Sequence, residues 1–277
     1  MFSLQSYQEV QARGGVVRRT DRGVVAVAGA DRTAWLQGLL TNDVSNLAEG
    51  EPVYAAYLTP QGRMITDMHV VASGDRILLD VPATLAAPLR ARLDALIFSE
   101  DVQVSDESAR VGVWTVVQAD TLREVVAATL PDAYRDLPVI DLDTFDVIRI
   151  ERGVPRFLVD MFDDTIPLEA GIEDRAISFT KGCYVGQEII VRVTHRGGGR
   201  VAKKLVRWIA DESAQVVPLA DARIEAGGKD VGKVTSAAFS PARSRVIGLG
   251  YVQRDVAEPG TAVAIILDGA QLRAVVQ

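Results

Sequence analysis

Residues 53–81 read VYAAYLTPQGRMITDMHVVASGDRILLDV, and this stretch decides the fold class. Two turns that contain proline or glycine, at 59–62 and 72–75, divide it. The apolar stretches between the turns are 53–58, 64–71 and 76–81. Strands joined by such short turns are antiparallel, because a parallel pair needs a long crossover connection. The stretch therefore predicts an antiparallel sheet rather than a dinucleotide-binding Rossmann unit.

Further helices and strands flank this sheet. Asp31 is the predicted N-cap of a helix that ends near Leu40, since Trp35, Leu36 and Leu39 share one apolar stripe with Leu40. Helical spacing predicts further helices at 84–97, 122–130 and 143–152, and short apolar runs predict strands at 24–27 and 111–117.

The pattern changes near Val201. Short apolar runs separated by glycine and proline turns follow, at 205–209, 233–238, 246–252, 262–267 and 272–276. Such a series is typical of a small all-β barrel or sandwich. The sequence HRGGGR at 195–200 is the predicted linker. We therefore predict two domains, an α+β region at 1–199 and a β-barrel at 200–277.

The composition excludes several classes of protein. The chain has 277 residues, 48% of them hydrophobic and 24% charged, with a net charge of −7. That balance is typical of a soluble globular protein and predicts no uniform basic surface for nucleic acid. One cysteine permits no intramolecular disulfide and no cysteine-rich metal site. The N-terminus lacks a secretory signal, and no apolar run reaches the ~20 residues of a membrane helix, so we expect a cytoplasmic protein without membrane contact.

The densest group of reactive residue types is KGCYVGQE at 181–188. Cys183 lies two residues from Lys181, and a nearby cation favours a reactive thiolate. The glycines on either side permit close approach of the backbone to a ligand. The alternative is a buried structural cysteine, which is common for a free thiol. Spacing alone leaves both interpretations open.

This octamer resembles the signature of the YgfZ-type folate-binding proteins, which are relatives of the glycine cleavage T protein, an aminomethyltransferase. Other segments are similar to the same superfamily in the same order along nearly the whole chain. They are WLQG at 35–38, TND at 41–43, LTPQG at 58–62, RIERGVP at 149–155, PLEAG at 167–171 and GLGYV at 248–252.

The resemblance implies a T-protein-like fold with lobes around a central folate pocket and a C-terminal β-barrel. It also implies that the protein binds tetrahydrofolate or a one-carbon derivative and assists the assembly or repair of iron–sulfur clusters in client enzymes. Whether it turns over a substrate is left open. The rival functions are a folate-dependent aminomethyltransferase or demethylase and an RNA-binding accessory protein.

The resemblance also assigns roles to individual residues. Glu169 matches the T-protein carboxylate that binds the pterin, although the residue alone favours a surface acid at a helix start or in a loop. Asp67 matches the second acid of the T-protein Asp-Asp pair, where Thr66 replaces the first. Strand alternation places Asp67 and His69 on one face; without the resemblance, that face would be exposed to solvent. Tyr54 on the preceding strand suits an aromatic pocket wall or the core.

Charge is unevenly distributed along the chain. Residues 181–207 contain seven lysines and arginines and one acid, a balance that attracts the carboxylates of a folate tail or RNA phosphates. The alternative is a solvated stretch that is neutralised by the acids at 160–174, which lack the spacing of a calcium-binding loop. The predicted catalytic residues are Cys183 and Lys181, and no metal ligand is predicted. The predicted cofactor-binding residues are Glu169, Asp67, Tyr54, His69, Gln187 and Arg192.

Overall fold

The computed structural model of the chain describes residues 2–196, 200–268 and 270–277. The chain forms two compact units. The first comprises Met1–Thr144 and Glu173–Ile189, and the second Phe145–Ile172 and Ile190–Gln277. The predicted division between residues 199 and 200 stays a prediction. Residues 197–199 of the predicted linker lie outside the described residues.

The first unit is built on two sheets with helices beside them. Its strands are β1 (Gly15–Arg18), β2 (Arg22–Ala28), β3 (Pro52–Leu58), β4 (Met64–Ser73), β5 (Arg76–Pro82), β6 (Gln103–Asp106), β7 (Gly112–Val117), β8 (Leu122–Ala127) and β9 (Val139–Ile140). The α-helices in the described part of the chain are α1 (Leu4–Arg13), α2 (Arg32–Leu39), α3 (Ala83–Asp94), α4 (Leu142–Glu151), α5 (Glu173–Ala176) and α6 (Gln187–Val191).

The predicted antiparallel sheet is confirmed. It has the order β3-β4-β5-β2-β6, and every pair in it is antiparallel. A second sheet has the order β8-β7-β1-β9, with β9 parallel to β1. Four leucines pack with the larger sheet in one buried core: Leu36 of α2, Leu40 at its C-cap, and Leu89 and Leu93 of α3. The apolar stripe of α2 therefore holds the helix against the sheet.

Asp31 occupies the predicted N-cap position of α2 but does not cap the helix with its side chain. The helix does begin after Asp31, but the Asp31 side chain makes no capping hydrogen bond. Its Oδ2 instead accepts from the backbone N–H of Asp101 at 2.8 Å. The carboxylate is thus used to join two loops rather than to complete the helix end.

The helix predicted at 122–130 is also wrong. Residues Leu122–Ala127 form β8, which pairs antiparallel with β7. The segment contains two adjacent β-branched residues, Val125 and Val126, which favour strands. Glu124 and Val126 alternate as the buried positions. Its neighbour β7, rather than local spacing, decides the structure.

The second unit contains the predicted β-barrel. The strands β10 (Lys203–Ala210), β11 (Arg223–Ala226), β12 (Lys229–Ser240), β13 (Arg245–Gln253), β14 (Ala262–Leu267) and β15 (Ala270–Val276) close in the order β10-β13-β12-β11-β14-β15. The sequence analysis missed β11. Trp208 fills part of the interior and is 1% exposed. Gly248 makes room for its ring, since a Cβ there would lie 2.2 Å from a ring carbon.

Among the described residues, no helix combines the length and the apolar character needed to cross a membrane.

Candidate functional site

Three of the predicted site residues lie together on the hairpin of β3 and β4. The register places Tyr54 opposite His69. The Tyr54 hydroxyl donates to Asp67 Oδ2 at 3.0 Å, and the Tyr54 and His69 rings lie 5.0 Å apart. Asp67 is buried, so the solvent-facing interpretation that strand alternation favours is wrong. A buried carboxylate beside two rings can bind a ligand through N–H donors.

Arg22 and Asp80 complete this group, and the sequence analysis missed both. Arg22 Nε donates to Asp80 Oδ1 at 2.6 Å, and its Nη1 donates to Asp67 Oδ1 at 3.1 Å. His69 Nδ1 lies 3.1 Å from Asp80 Oδ2. A signal was present in the sequence, since Asp80 is a solitary acid in an apolar strand. We call Arg22, Tyr54, Asp67, His69 and Asp80 the hairpin cluster.

The charges of the hairpin cluster are fixed by its contacts. Burial alone would raise the pKa of Asp80, but the Arg22 guanidinium and the hydrogen bond with His69 lower it to about 2. Burial raises the pKa of Tyr54 well above its usual value, and the neighbouring Asp67 adds to that shift. Tyr54 therefore remains a neutral phenol that donates to Asp67.

Two further residues hold the Tyr54 ring and its strand. The Arg175 guanidinium lies 5.1 Å from the ring centroid, a cation–π distance. The Asn42 amide donates to the carbonyl oxygen of Tyr54 at 2.8 Å and to that of Arg175 at 2.9 Å. Asn42 thus ties α5 to the edge of the sheet.

Cys183 is exposed, so the interpretation as a buried structural cysteine is wrong. The loop that carries it packs on the turn between β3 and β4. At Gly186, φ is +86° and a Cβ would lie 2.6 Å from the Thr59 carbonyl oxygen. At Gly62, in that turn, φ is +74° and a Cβ would lie 2.9 Å from side-chain carbons of Ile189. Only glycine fits this close contact with the required backbone conformation.

Lys181 fixes the other end of the same loop. Its Nζ donates to the carbonyl oxygens of Gln37, Leu40 and Asn42, each at 2.8 Å. Two of these carbonyls belong to the last turn of α2 and its C-cap, where a cation is favoured. Burial lowers the pKa of Lys181 to about 8. The geometry makes Lys181 a clamp for the loop, while its effect on the Cys183 thiol stays a prediction.

The remaining predicted residues lie beside this loop and in the second unit. Gln187 begins α6, and its N–H donates to the Tyr184 carbonyl at 3.2 Å. Arg192 follows α6 and is exposed.

Glu169 ends a 3-10 turn, Pro167–Glu169, in the second unit and is buried. The interpretation as a surface acid is therefore wrong. Its Oε2 accepts from the Ile166 N–H at 3.3 Å and lies 4.0 Å from Lys203 Nζ. Lys203 also lies 4.9 Å from the centroid of the Tyr251 ring. Glu169 thus lies between a backbone donor and a lysine, and its role as a ligand-binding carboxylate stays a prediction.

Part of the charged sequence is neutralised within the second unit. Lys203 Nζ lies 3.3 Å from Asp164 Oδ2. Asp160 accepts from Arg149 at 2.6 Å and is fully buried. Within the described part of the chain, no group of three or more His, Cys, Asp or Glu residues has the arrangement of a metal site.

The barrel matches a known protein family. Residues 203–277 match the model of the glycine cleavage T-protein C-terminal barrel domain. A solved structure of glycine cleavage system aminomethyltransferase T from Bartonella henselae superposes with a TM-score of 0.83 at 18% identity, covering 99% of this chain and 88% of that one. That likeness shows the fold.

Three curated relatives extend the comparison. An uncharacterized protein of Haemophilus influenzae is 28% identical over 79% of this chain and 82% of its own length. An aminomethyltransferase of Halothermothrix orenii is 25% identical over 95% of this chain and 87% of its length. A Neurospora crassa protein is also 25% identical, over 71% of this chain and 54% of its own length. Its name is iron-sulfur cluster assembly factor IBA57 homolog, mitochondrial.

Proposed function

Because the chain belongs to the glycine cleavage T-protein-like superfamily, we propose that it binds tetrahydrofolate, or a one-carbon derivative, and assists assembly or repair of iron–sulfur clusters in client enzymes. The observation that carries the folate part is the buried Asp67 carboxylate, hydrogen-bonded by Tyr54 and Arg22 beside the His69 ring. The iron–sulfur part is supported by the similarity to the IBA57 homologue and by the exposed thiol of Cys183.

In this proposal the carboxylates recognise the folate. A carboxylate accepts two hydrogen bonds from adjacent N–H groups, as the amino group and ring of a pterin present them. Glu169 and Asp67 are the buried acids assigned to that role, Tyr54 and His69 supply aromatic surface, and Gln187 and Arg192 are assigned to the remainder of the ligand. Each of these roles is tested by substitution.

The test of folate binding is a titration with tetrahydrofolate. Glu169→Gln and Asp67→Asn each remove one charged acceptor, which typically costs about 1.5–3 kcal/mol, or roughly tenfold or more in affinity. Asp163→Asn is the matched control, since Asp163 is exposed. Equal affinities of the wild type, Glu169→Gln and Asp67→Asn would refute the assignment.

Cys183 is proposed as the reactive group for the client. A thiolate is a soft nucleophile and an iron ligand, and one thiol can hold a cluster iron together with ligands from another chain. Cys183→Ser should fold with an unchanged melting temperature but fail to restore iron–sulfur enzyme activity in a strain that lacks the protein. Thr180→Ala, at an exposed position on the same segment, is the control that should restore activity. Full restoration by Cys183→Ser would exclude the thiol as the working group.

The second candidate function is folate-dependent aminomethyl transfer or demethylation. The similarity to the Halothermothrix orenii aminomethyltransferase over 95% of the chain favours it. An assay for tetrahydrofolate-dependent formation of methylene-tetrahydrofolate or formaldehyde separates the two candidates. Turnover abolished by Asp67→Asn but not by Cys183→Ser would favour the transferase.

The cytoplasmic location stays a prediction, since the Neurospora crassa relative is named as mitochondrial.

A further inference from the structure

The His69 ring is joined to a carboxylate that determines which ring nitrogen carries the proton. Its Nδ1 lies 3.1 Å from Asp80 Oδ2, and the Asp80 side chain is 1% exposed. With its pKa lowered to about 2, Asp80 is ionised at neutral pH and can only accept. The proton of the neutral imidazole therefore lies on Nδ1, and Nε2 carries a lone pair.

That lone pair lies at the edge of the ring that faces away from Asp80. The His69 side chain is 23% exposed, although Nδ1 contacts a carboxylate that is almost fully enclosed. Asp80 is the hydrogen-bond partner recorded for the ring in the described part of the chain. Among the described residues, Nε2 is not one of the side-chain nitrogens that are both buried and without a partner. Nε2 is therefore accessible to a ligand as an acceptor.

The groups around His69 come from five strands, one of them β5 with Asp80, and from α5. Tyr54 of β3 stacks on it at a 40° tilt, and Asp67 precedes it by two residues on β4. Glu124 of β8 interacts with it electrostatically, and burial raises the pKa of that acid.

Two arginines balance these acids, and a third lies on the Tyr54 ring. Arg22 of β2 contacts Asp67 and Asp80, and Arg175 of α5 lies over the Tyr54 ring. Arg19 lies 3.6 Å from Glu124. The acids of the hairpin cluster are therefore paired with arginine, whereas His69 Nε2 is an uncharged hydrogen-bond acceptor.

We propose that His69 Nε2 accepts a hydrogen bond from a ring N–H of the ligand and so selects reduced pterins over oxidised ones, with Asp80 as its positioning residue. This inference rests on the proposed folate binding. A tetrahydropterin carries N–H donors on its reduced ring, whereas the oxidised ring has bare nitrogens at the same positions. A hydrogen-bond acceptor therefore pairs with the N–H of the reduced ring but is repelled by the nitrogen lone pair of the oxidised ring. A site that is built to accept from an N–H rejects an analogue that lacks this group.

The test compares tetrahydrofolate with folic acid, titrated anaerobically into the wild type, His69→Gln and His69→Asn. The Gln side chain places an acceptor oxygen near the position of Nε2 and does not titrate. The shorter Asn reaches Asp80 but not the ligand. We expect the wild type and His69→Gln to prefer tetrahydrofolate, and His69→Asn to lose at least about tenfold of that preference. His195→Asn, at the chain's other histidine, is the matched control and should retain it.

The pH profile is the second readout, because only the neutral ring accepts. At acidic pH, where a protonated ring donates from both nitrogens and accepts at neither, wild-type affinity for tetrahydrofolate should be lower than at neutral pH. His69→Gln should remain flat over the same range. A flat wild-type profile, or a profile shared by His69→Gln, would overturn the proposal.

The outcomes separate this inference from the proposed function. A wild type that binds neither ligand refutes folate binding and the inference with it. A wild type that binds both ligands equally, or three proteins with one shared preference, refutes the inference alone. The tautomer is tested independently by nitrogen NMR of the free protein, with His69 assigned by its absence in His69→Asn. A proton on Nε2 of the neutral wild-type ring would also overturn the proposal.

Discussion

Each unit contains a buried arginine–aspartate pair, and the two pairs differ in whether a ligand can reach them. In the second unit, Arg149 and Asp160 are 1% and 0% exposed. Asp160 also accepts from Thr235, Ser236 and the backbone N–H of Arg156. That pair is closed, because its acceptors are occupied by the protein itself.

The pair in the first unit is open at one end. Arg22 and Asp80 are 6% and 1% exposed, but the contacts continue through His69 and Asp67 to partly exposed rings. Both pairs carry the cost of removing charge from water. The difference teaches that burial of an ion pair does not distinguish a structural role from a functional one. The two roles are distinguished by whether the residues at the end of the hydrogen-bond network are exposed.

The largest effect is expected where the pair is closed. Asp160→Asn should lower the free energy of unfolding by about 3–5 kcal/mol, because it removes the fully buried partner of Arg149 and leaves Asp146, whose side chain is 38% exposed, as the remaining acid beside that charge. Urea denaturation followed by circular dichroism measures this, with the exposed Asp163→Asn as control. Equally small losses of unfolding free energy in Asp160→Asn and Asp163→Asn would show that the fold does not depend on the pair of Arg149 and Asp160.

Substitution in the open pair, Arg22 and Asp80, should lower the free energy of unfolding by less. Asp80→Asn should cost about 2 kcal/mol at neutral pH, since Arg22 keeps its bond to Asp67. The pKa of Asp80 is lowered from 3.8 to about 2 in the fold. Its charge therefore contributes stability above about pH 4, and that contribution is lost as pH falls toward about 2. Urea midpoints across this range should show the gap between wild type and variant closing, and a gap that widens would contradict the assignment.

The fold was largely predictable because its signals are local. The hairpin turns at 59–62 and 72–75, the stripe of α2 and the short runs of the barrel each depend on neighbours in sequence. β8 was not predictable in that way, since Leu122–Ala127 suits either structure and pairing with β7 decides it.

The site was only partly predictable for the same reason. Arg22 reaches Asp67 and Asp80 across 45 and 58 residues, and Lys181 reaches Gln37 across 144. Spacing along the chain contains no information on such contacts. The solitary Asp80 in an apolar strand was the available signal, since a buried charge requires a partner.

Removing the loop clamp should have an intermediate effect. Lys181→Met leaves three carbonyls without a donor and should cost about 1–2 kcal/mol, because the side chain is only half buried. Hydrogen exchange of residues 181–187 should accelerate while the barrel is unchanged. Lys204→Met, at an exposed lysine in the second unit, is the control. Unchanged exchange in the loop would show that the clamp does not hold Cys183 in place.

The smallest effect is expected at the open end. His69→Asn should change the free energy of unfolding by less than about 0.5 kcal/mol, because Asn can retain the contact with Asp80 and the ring is partly exposed. The same urea titration measures it beside Asp160→Asn. A loss as large as that of Asp160→Asn would make His69 a structural residue and remove the distinction between the two pairs.

The contact between Gly62 and Gly186 carries a consequence for how this chain can change over evolutionary time. The two glycines lie on opposite sides of one interface, and a methyl group on either would meet the other side's segment. A substitution at one position would displace the segment that carries Cys183, and no compensating change at the other is available, because both already have the smallest side chain and both have positive φ. Lineages that retain the thiol should therefore retain both glycines, whereas lineages that have lost the thiol are free to lose both.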